Sequence, residues 1–182
     1  MSERVREALR HAIDPVFDER SRVLVLGTFP SPKSREAGFF YGHPQNRMWR
    51  VLAAVTGEDR VPQSAEERTA FLLRNHIAMW DVIASCTIEG ASDASIRDVV
   101  PNDLSRILGI APIEAVFTTG AKAHQLYERY QLPQTGIADV RLPSTSAANA
   151  AWGLDRLVEA YHVVAKASFP RSHRLELTSA IV

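Results

Sequence analysis

The sequence has a single cysteine, Cys86, among its 182 residues. One cysteine excludes an internal disulfide, a cysteine-rich zinc site and a four-cysteine iron–sulfur cluster. Long apolar runs are also missing, since none approaches the roughly 18 residues that a membrane-spanning helix requires. The first 13 residues carry charges throughout and lack the apolar core of a secretion signal. We therefore expect a cytoplasmic protein that does not enter a membrane.

An excess of either charge is absent as well, because 21 Lys and Arg residues balance 21 Asp and Glu residues. A neutral chain excludes proteins that bind nucleic acid through bulk positive charge, although a local basic surface is sufficient for binding. Lysine is scarce, with only three residues of this type. The excess of Arg over Lys favours bidentate contacts with phosphate, but GC-rich codon usage explains the same bias without any function.

Four short apolar runs, at 22–27, 76–83, 114–119 and 137–142, predict buried strands. Helical patterns lie between and after them, at 46–55, 65–74 and 102–108, after Gly120, and from residue 154 onwards. Near-continuous apolar strands that alternate with helices indicate an α/β protein with a mostly parallel sheet, covered on both faces. The length suits one domain over residues 1–182, with a tail of weak strand character at 170–182.

Ligands of such sheets bind at the carboxyl ends of the strands, where the loop at 28–45 combines basic and aromatic side chains. Ser31 and Lys33 offer groups that bind phosphate, and residues 39–41 are three consecutive aromatics. This combination is typical of a site that stacks a base and neutralises its phosphates. In the alternative interpretation, the aromatics form only a small core within the loop.

Two further loops follow strands, at 81–95 and 143–153. Small hydroxylated residues around Ser144 and Ser146 precede the last helix and indicate an anion site, although one of them, or Asn149, could instead cap that helix. Asp81 either contacts a ligand, caps a helix or pairs with an arginine. The six histidines show no spacing typical of metal ligands, and no cofactor-binding motif is present, so we expect neither a metal nor a cofactor.

The order of the motifs GTFPS, GFFYGHPQNRMW, MWD, TTGAKA and LPSTSAAN resembles that of the uracil-DNA glycosylase superfamily, especially its hypoxanthine-DNA (deoxyinosine) glycosylase branch. The resemblance covers about residues 20–166. It implies a three-layer α/β/α sandwich around a central four-stranded, mostly parallel sheet. It also implies an enzyme that flips a deaminated base, expected to be hypoxanthine, out of DNA and hydrolyses its N-glycosidic bond, leaving an abasic site without a metal or cofactor.

The resemblance implies roles for individual residues. Asn46, in HPQN, corresponds to a catalytic amide that positions water or donates to the leaving base, and Ser144 takes the place of a His or Asn that polarises the base or holds the strand. Tyr41 corresponds to an aromatic that stacks on the base, and Asp81 to an Asn that reads the base edge. Phe29 stands beside the base where the family's first motif carries an Asp or Asn, so stabilisation of the leaving group is expected to dominate.

The remaining assignments concern the rim of the site. His43 either donates to the purine when protonated or is a hydrogen-bonded loop histidine. The residues expected to contact the DNA backbone are Ser31, Lys33, Ser146 and Asn149. The expected partner is double-stranded DNA containing a deaminated base, bound by a monomer. Two other functions stay open at this point, a damaged-DNA binding protein without catalysis and a hydrolase of free nucleosides.

Overall fold

The computed structural model describes residues 6–169, which form two β-sheets and a set of helices. The strands are β1 (Arg6–Arg10), β2 (Val23–Gly27), β3 (Ile77–Asp81), β4 (Ile83–Glu89), β5 (Arg97–Pro101), β6 (Ala115–Thr119) and β7 (Asp139–Leu142). The helices are α1 (Pro32–Ala37), α2 (Met48–Thr56), α3 (Ala65–Arg74), α4 (Ser105–Leu108), α5 (Ala121–Tyr130), α6 (Leu132–Thr135) and α7 (Leu154–Ser168).

The central sheet has four strands in the order β3-β2-β6-β7, all of them parallel. Every residue of β2 and β3 is buried, as expected for near-continuous apolar strands that helices cover. Helix α5 packs against β6 and β7, α3 packs against β3, and α2 packs against α7. The predicted α/β fold with a four-stranded sheet is therefore confirmed.

A second sheet, antiparallel and in the order β1-β4-β5, was not predicted. The predicted strand at 76–83 is in fact two strands, because the chain leaves the central sheet at Val82 and continues as β4. The predicted loop at 81–95 is correspondingly wrong, since β4 occupies seven of its residues. The sequence of β4, IASCTIE, mixes small polar and apolar residues, and its burial alternates irregularly. Such a strand gives none of the continuous apolar signal that marks the central sheet.

Local differences concern where helices begin. The loop predicted at 28–45 contains α1, which Ser31 caps by accepting a hydrogen bond from Ser34 N–H and in which Pro32 occupies the first turn. The helix predicted at 102–108 is shorter and begins at Ser105. The predicted tail at 170–182 lies outside the described residues. Among residues 6–169, none of the helices has both the length and the apolar character needed to cross a membrane.

Candidate active site

The four strands of the central sheet end around one cleft of about 640 Å³. Its walls come from the last residues of β2, β3 and β6 and from the loops after β2 and β7, which is where ligands bind in open α/β sheets. The predicted residues that line the cleft are Phe29, Ser31, Lys33, Tyr41, His43, Asn46, Asp81, Ser144 and Ser146. Asn149 does not line it.

Asp81 ends β3 at the floor of the cleft, and its partner is a histidine. His11 Nε2 lies 2.7 Å from Asp81 Oδ2, with 3% and 7% of the two side chains exposed. The alternatives of a helix cap or an arginine partner are therefore wrong. The other oxygen, Oδ1, lies over Gly27, the residue beside Asp81 in the neighbouring strand. A Cβ at Gly27 would lie only 2.3 Å from that oxygen, so only glycine at this position leaves room for the carboxylate.

The hydrogen bonds of His11 determine its tautomer. Ile13 N–H donates to Nδ1 at 3.2 Å, so that nitrogen carries no proton and Nε2–H is the donor to Asp81. The rings of Phe29, Phe40 and Trp80 surround the imidazole at centroid distances of 5.9, 6.3 and 6.2 Å. Sequence reasoning missed His11, because a lone histidine in a charged N-terminal segment carries no periodic or motif signal.

Tyr41 forms a wall of the cleft in a backbone conformation that few residues adopt. Its φ is +49°, in the left-handed region that costs a tyrosine on the order of 1 kcal/mol or more. Its hydroxyl shares a 2.8 Å hydrogen bond with Thr119 Oγ1, and burial, assisted by the negative charge of Asp81, raises its pKa. Of the two preceding aromatics, Phe40 is buried and lines the cleft, whereas Phe39 does not line it and packs on Trp49. The alternative of a loop core is thus correct for Phe39.

Asn46 presents only one kind of group to the cleft. Its Oδ1 accepts from Met48 N–H at 2.9 Å, at the start of α2, and from Thr145 Oγ1 at 2.8 Å. A backbone N–H can only donate, so the amide oxygen must occupy this position and the NH₂ group must point the other way. None of residues 6–169 accepts a hydrogen bond from Asn46 Nδ2. The side chain therefore offers the cleft a pure donor.

The loop after β7 is held by Arg47, which the sequence reasoning did not single out as a site residue. Its guanidinium donates to four backbone oxygens of the loop, those of Thr145 (3.2 Å), Ser146 (2.5 Å), Asn149 (3.2 Å) and Trp152. The backbone N–H of Arg47 also donates to the backbone oxygen of Thr145, at 3.1 Å. Because Asn46 and Thr145 are hydrogen-bonded as well, the start of α2 and this loop form one unit.

Several predicted contact groups have internal partners. Asn149 Nδ2 donates to Ser144 O at 2.9 Å, a hydrogen bond that helps to close the loop. Ser144 Oγ accepts from Ser146 N–H at 3.2 Å. The alternative in which a residue of this loop caps the last helix is wrong, because Gly153 precedes α7 without a side-chain cap. Lys33 is exposed and pairs with Glu36 at 2.9 Å.

His43 is exposed at the mouth of the cleft, where its Nδ1 accepts from Gln45 N–H at 3.1 Å. The neutral imidazole therefore carries its proton on Nε2 and can donate without becoming charged.

A second carboxylate reaches the cleft from the turn between β4 and β5. Asp93 lines the cleft together with Asp81. Asp93 is exposed at the rim, where partial desolvation by the surrounding protein and the charge of Asp81 raise its pKa, against the opposing effect of Lys122. Sequence reasoning missed it because no motif within the predicted loop at 81–95 marks this position. No group of three or more His, Cys, Asp or Glu side chains suited to a metal ion occurs within residues 6–169.

Comparisons with known proteins agree on one family. The profile of the uracil DNA glycosylase superfamily matches residues 15–165. A hypoxanthine DNA glycosylase of Methanosarcina barkeri is 35% identical over 141 residues, which is 77% of this chain and 88% of the relative. One of Methanosarcina acetivorans is 32% identical over 149 residues, 81% of this chain and 93% of the relative.

Among solved structures, the solution NMR structure of a candidate uracil DNA glycosylase from Methanosarcina acetivorans superposes with a TM-score of 0.75 at 30% identity. The match covers 89% of this chain and 99% of that one.

Proposed function

The chain belongs to the uracil DNA glycosylase superfamily and is a DNA glycosylase, and we propose that the base it removes is hypoxanthine. In this proposal deoxyinosine is flipped out of the duplex into the cleft, and hydrolysis of the glycosidic bond leaves an abasic site. Two relatives that share most of the chain carry the name hypoxanthine DNA glycosylase, which supports this choice of base.

The observation that carries the proposal is the pairing of a carboxylate acceptor with an amide donor in one cleft. Hypoxanthine has an N–H at N1, which Asp81 accepts at the floor. Adenine has a bare nitrogen there, and its lone pair is repelled by the carboxylate. The cleft thereby separates the deaminated base from its parent by a hydrogen bond that only the deaminated base can make.

Cleavage follows from charge stabilisation. When the bond between C1′ of the sugar and N9 of the purine breaks, its electron pair moves onto the base. The NH₂ group of Asn46 donates to that developing negative charge, and preorganised donors of this kind lower a barrier efficiently. Ser144 and His43 line the same cleft and supply further hydroxyl and imidazole donors. Water then bonds to C1′, and Asp93 is the carboxylate available to accept its proton.

Extraction of the base from the duplex has a cost of a few kcal/mol, which is lowest for a mispaired base. Stacking on Tyr41 offsets it by about 1–3 kcal/mol, and Phe29 adds an apolar edge to the pocket. Lys33 and Ser146, at the rim, contact the phosphates on either side of the flipped nucleotide. The hydroxyl of Ser31 is engaged in capping α1, so only its backbone is left for the DNA.

The experiment uses labelled duplexes that carry one deoxyinosine opposite thymine, one uracil opposite guanine, or one adenine opposite thymine. Each is incubated with excess enzyme and then cleaved with alkali at abasic sites. We expect cleavage at deoxyinosine and none at adenine. Binding without cleavage would favour a damaged-DNA binding protein. Release of hypoxanthine from free inosine, with no cleavage of the duplex, would favour a nucleoside hydrolase.

A further inference from the structure

We propose that His11 sets the base selectivity of the cleft by occupying one carboxylate oxygen of Asp81, so that a bound purine meets a single acceptor. The inference rests on the proposed function and adds to it a means of rejecting guanine. His11 does not touch the base in this proposal. It acts through Asp81 and is a positioning residue.

Hypoxanthine is hard to distinguish from guanine because the two purines are chemically similar. Hypoxanthine and guanine share the carbonyl at C6 and the N–H at N1, and they differ only by the amino group of guanine at C2. Guanine therefore presents two parallel donors, which match the two oxygens of a free carboxylate. A carboxylate that turns only one oxygen towards the base satisfies hypoxanthine completely and leaves the amino group of guanine without an acceptor.

The structure provides the single acceptor. Oδ2 of Asp81 lies 2.7 Å from His11 Nε2, while Oδ1 lies on the side of Gly27, which lines the cleft. The imidazole cannot reverse its role, because Ile13 N–H already donates to its other nitrogen. Three aromatic rings enclose it, so no neighbour among them competes for the Nε2 proton. Because His11 does not line the cleft, its hydrogen bond holds Oδ2 on the side away from the base.

A buried amino group without an acceptor loses the hydrogen bonds that it makes in water. The resulting discrimination is about tenfold or more between a base that is satisfied and one that is not. Ordinary guanine is far more abundant in DNA than any deaminated base. A cleft built on an unrestrained carboxylate would bind it with both donors paired.

The test compares two replacements of His11, of which only one keeps a hydrogen-bond donor to Asp81. In His11→Gln the side-chain NH₂ reaches the position of Nε2 and still donates to Asp81, whereas His11→Met fills similar space without a donor. Single-turnover excision is measured for duplexes with deoxyinosine or deoxyguanosine opposite thymine, and thermal unfolding is followed for each variant. We expect the ratio of hypoxanthine to guanine excision to fall about tenfold in H11M and to stay near that of the wild type in H11Q.

An unchanged ratio in folded, active H11M would overturn the proposal, as would an equal fall in both variants. Should H11M fail to fold, single-stranded oligonucleotides give a test on the wild type, since flipping then costs little for either base. Equal excision of guanine and hypoxanthine from single strands would refute a selective acceptor. Failure of the wild type on deoxyinosine in every substrate refutes the proposed function itself, which separates the two outcomes.

Discussion

Replacement of Asn46 by Asp separates the structural role of the amide oxygen from the role of the NH₂ group as a donor to the leaving base. The aspartate keeps an oxygen that accepts from Met48 N–H and from Thr145 Oγ1, so the start of α2 and its link to the loop stay intact. The NH₂ donor is lost, and a negative charge replaces it beside the leaving base. Removal of one donor from a developing anion lowers kcat by about 10²–10³, and N46D is expected to lose at least this much.

Asn46→Ala is the matched comparison, because it removes the donor and the acceptor together. Loss of the hydrogen bond from Met48 N–H costs about 1 kcal/mol, and the buried hydroxyl of Thr145 loses its acceptor at a cost of about 1–3 kcal/mol. For a chain of this length each kcal/mol lowers Tm by about 2–4 °C. N46A is thus expected to be inactive and several degrees less stable, whereas N46D is inactive and as stable as the wild type.

The assay is single-turnover excision of hypoxanthine with enzyme in excess, and thermal unfolding is followed in the same buffer. Excess enzyme removes product release from the measured rate. Wild-type excision by N46D would show that the amide donates nothing to the reaction, and its role in stabilising the leaving base would then be refuted. A fall in Tm in N46D as large as that in N46A would show that the aspartate does not keep the hydrogen bonds to Met48 and Thr145, so that this variant would not isolate the donor.

Three other substitutions probe the floor and wall of the cleft. Gly27→Ala places a methyl group where Asp81 Oδ1 lies and is expected to abolish excision of hypoxanthine, which a duplex cleavage assay checks. Tyr41→Ala removes about 1–3 kcal/mol of stacking, so binding to deoxyinosine DNA should weaken far more than Tm falls, and equal losses would mark Tyr41 as a core residue. Because burial raises the pKa of Tyr41, the unfolded state ionises first as the pH rises past about 10. The free energy of unfolding of the wild type therefore falls above that pH. In Tyr41→Phe it should fall less over the same pH range, as urea unfolding can measure.

The central sheet was predictable from the sequence because its strands are buried on both faces. VLVLG and AVFTT are short, continuous runs that are rich in apolar or β-branched residues, and such runs are typical of buried strands. The position of the cleft followed from the sheet, since parallel strands with helical crossovers bind ligands at one edge. Asn46, Tyr41 and Asp81 could be placed at that edge because each lies in a motif that follows or ends a predicted strand.

The second sheet and the partner of Asp81 were beyond the sequence for a different reason. Strand β1, REALR, is mostly exposed and charged, so neither apolar runs nor alternation marks it. His11 meets Asp81 across 70 positions of the chain, and a contact so distant leaves no local pattern. Arg47 was likewise not singled out, because nothing in a sequence shows that one guanidinium will donate to several backbone carbonyls of a distant loop.

Strand β1 has a consequence for where the functional unit begins. The superfamily profile starts at residue 15, whereas β1 pairs with β4 through five residues that precede it. A chain trimmed to the profile would keep the central sheet and its strand-end motifs. It would also expose the backbone of β4 as an open edge, which is a template for aggregation. Asp81 would lose its hydrogen bond to the imidazole of His11. The boundary drawn by sequence similarity is therefore narrower than the unit that holds the cleft together.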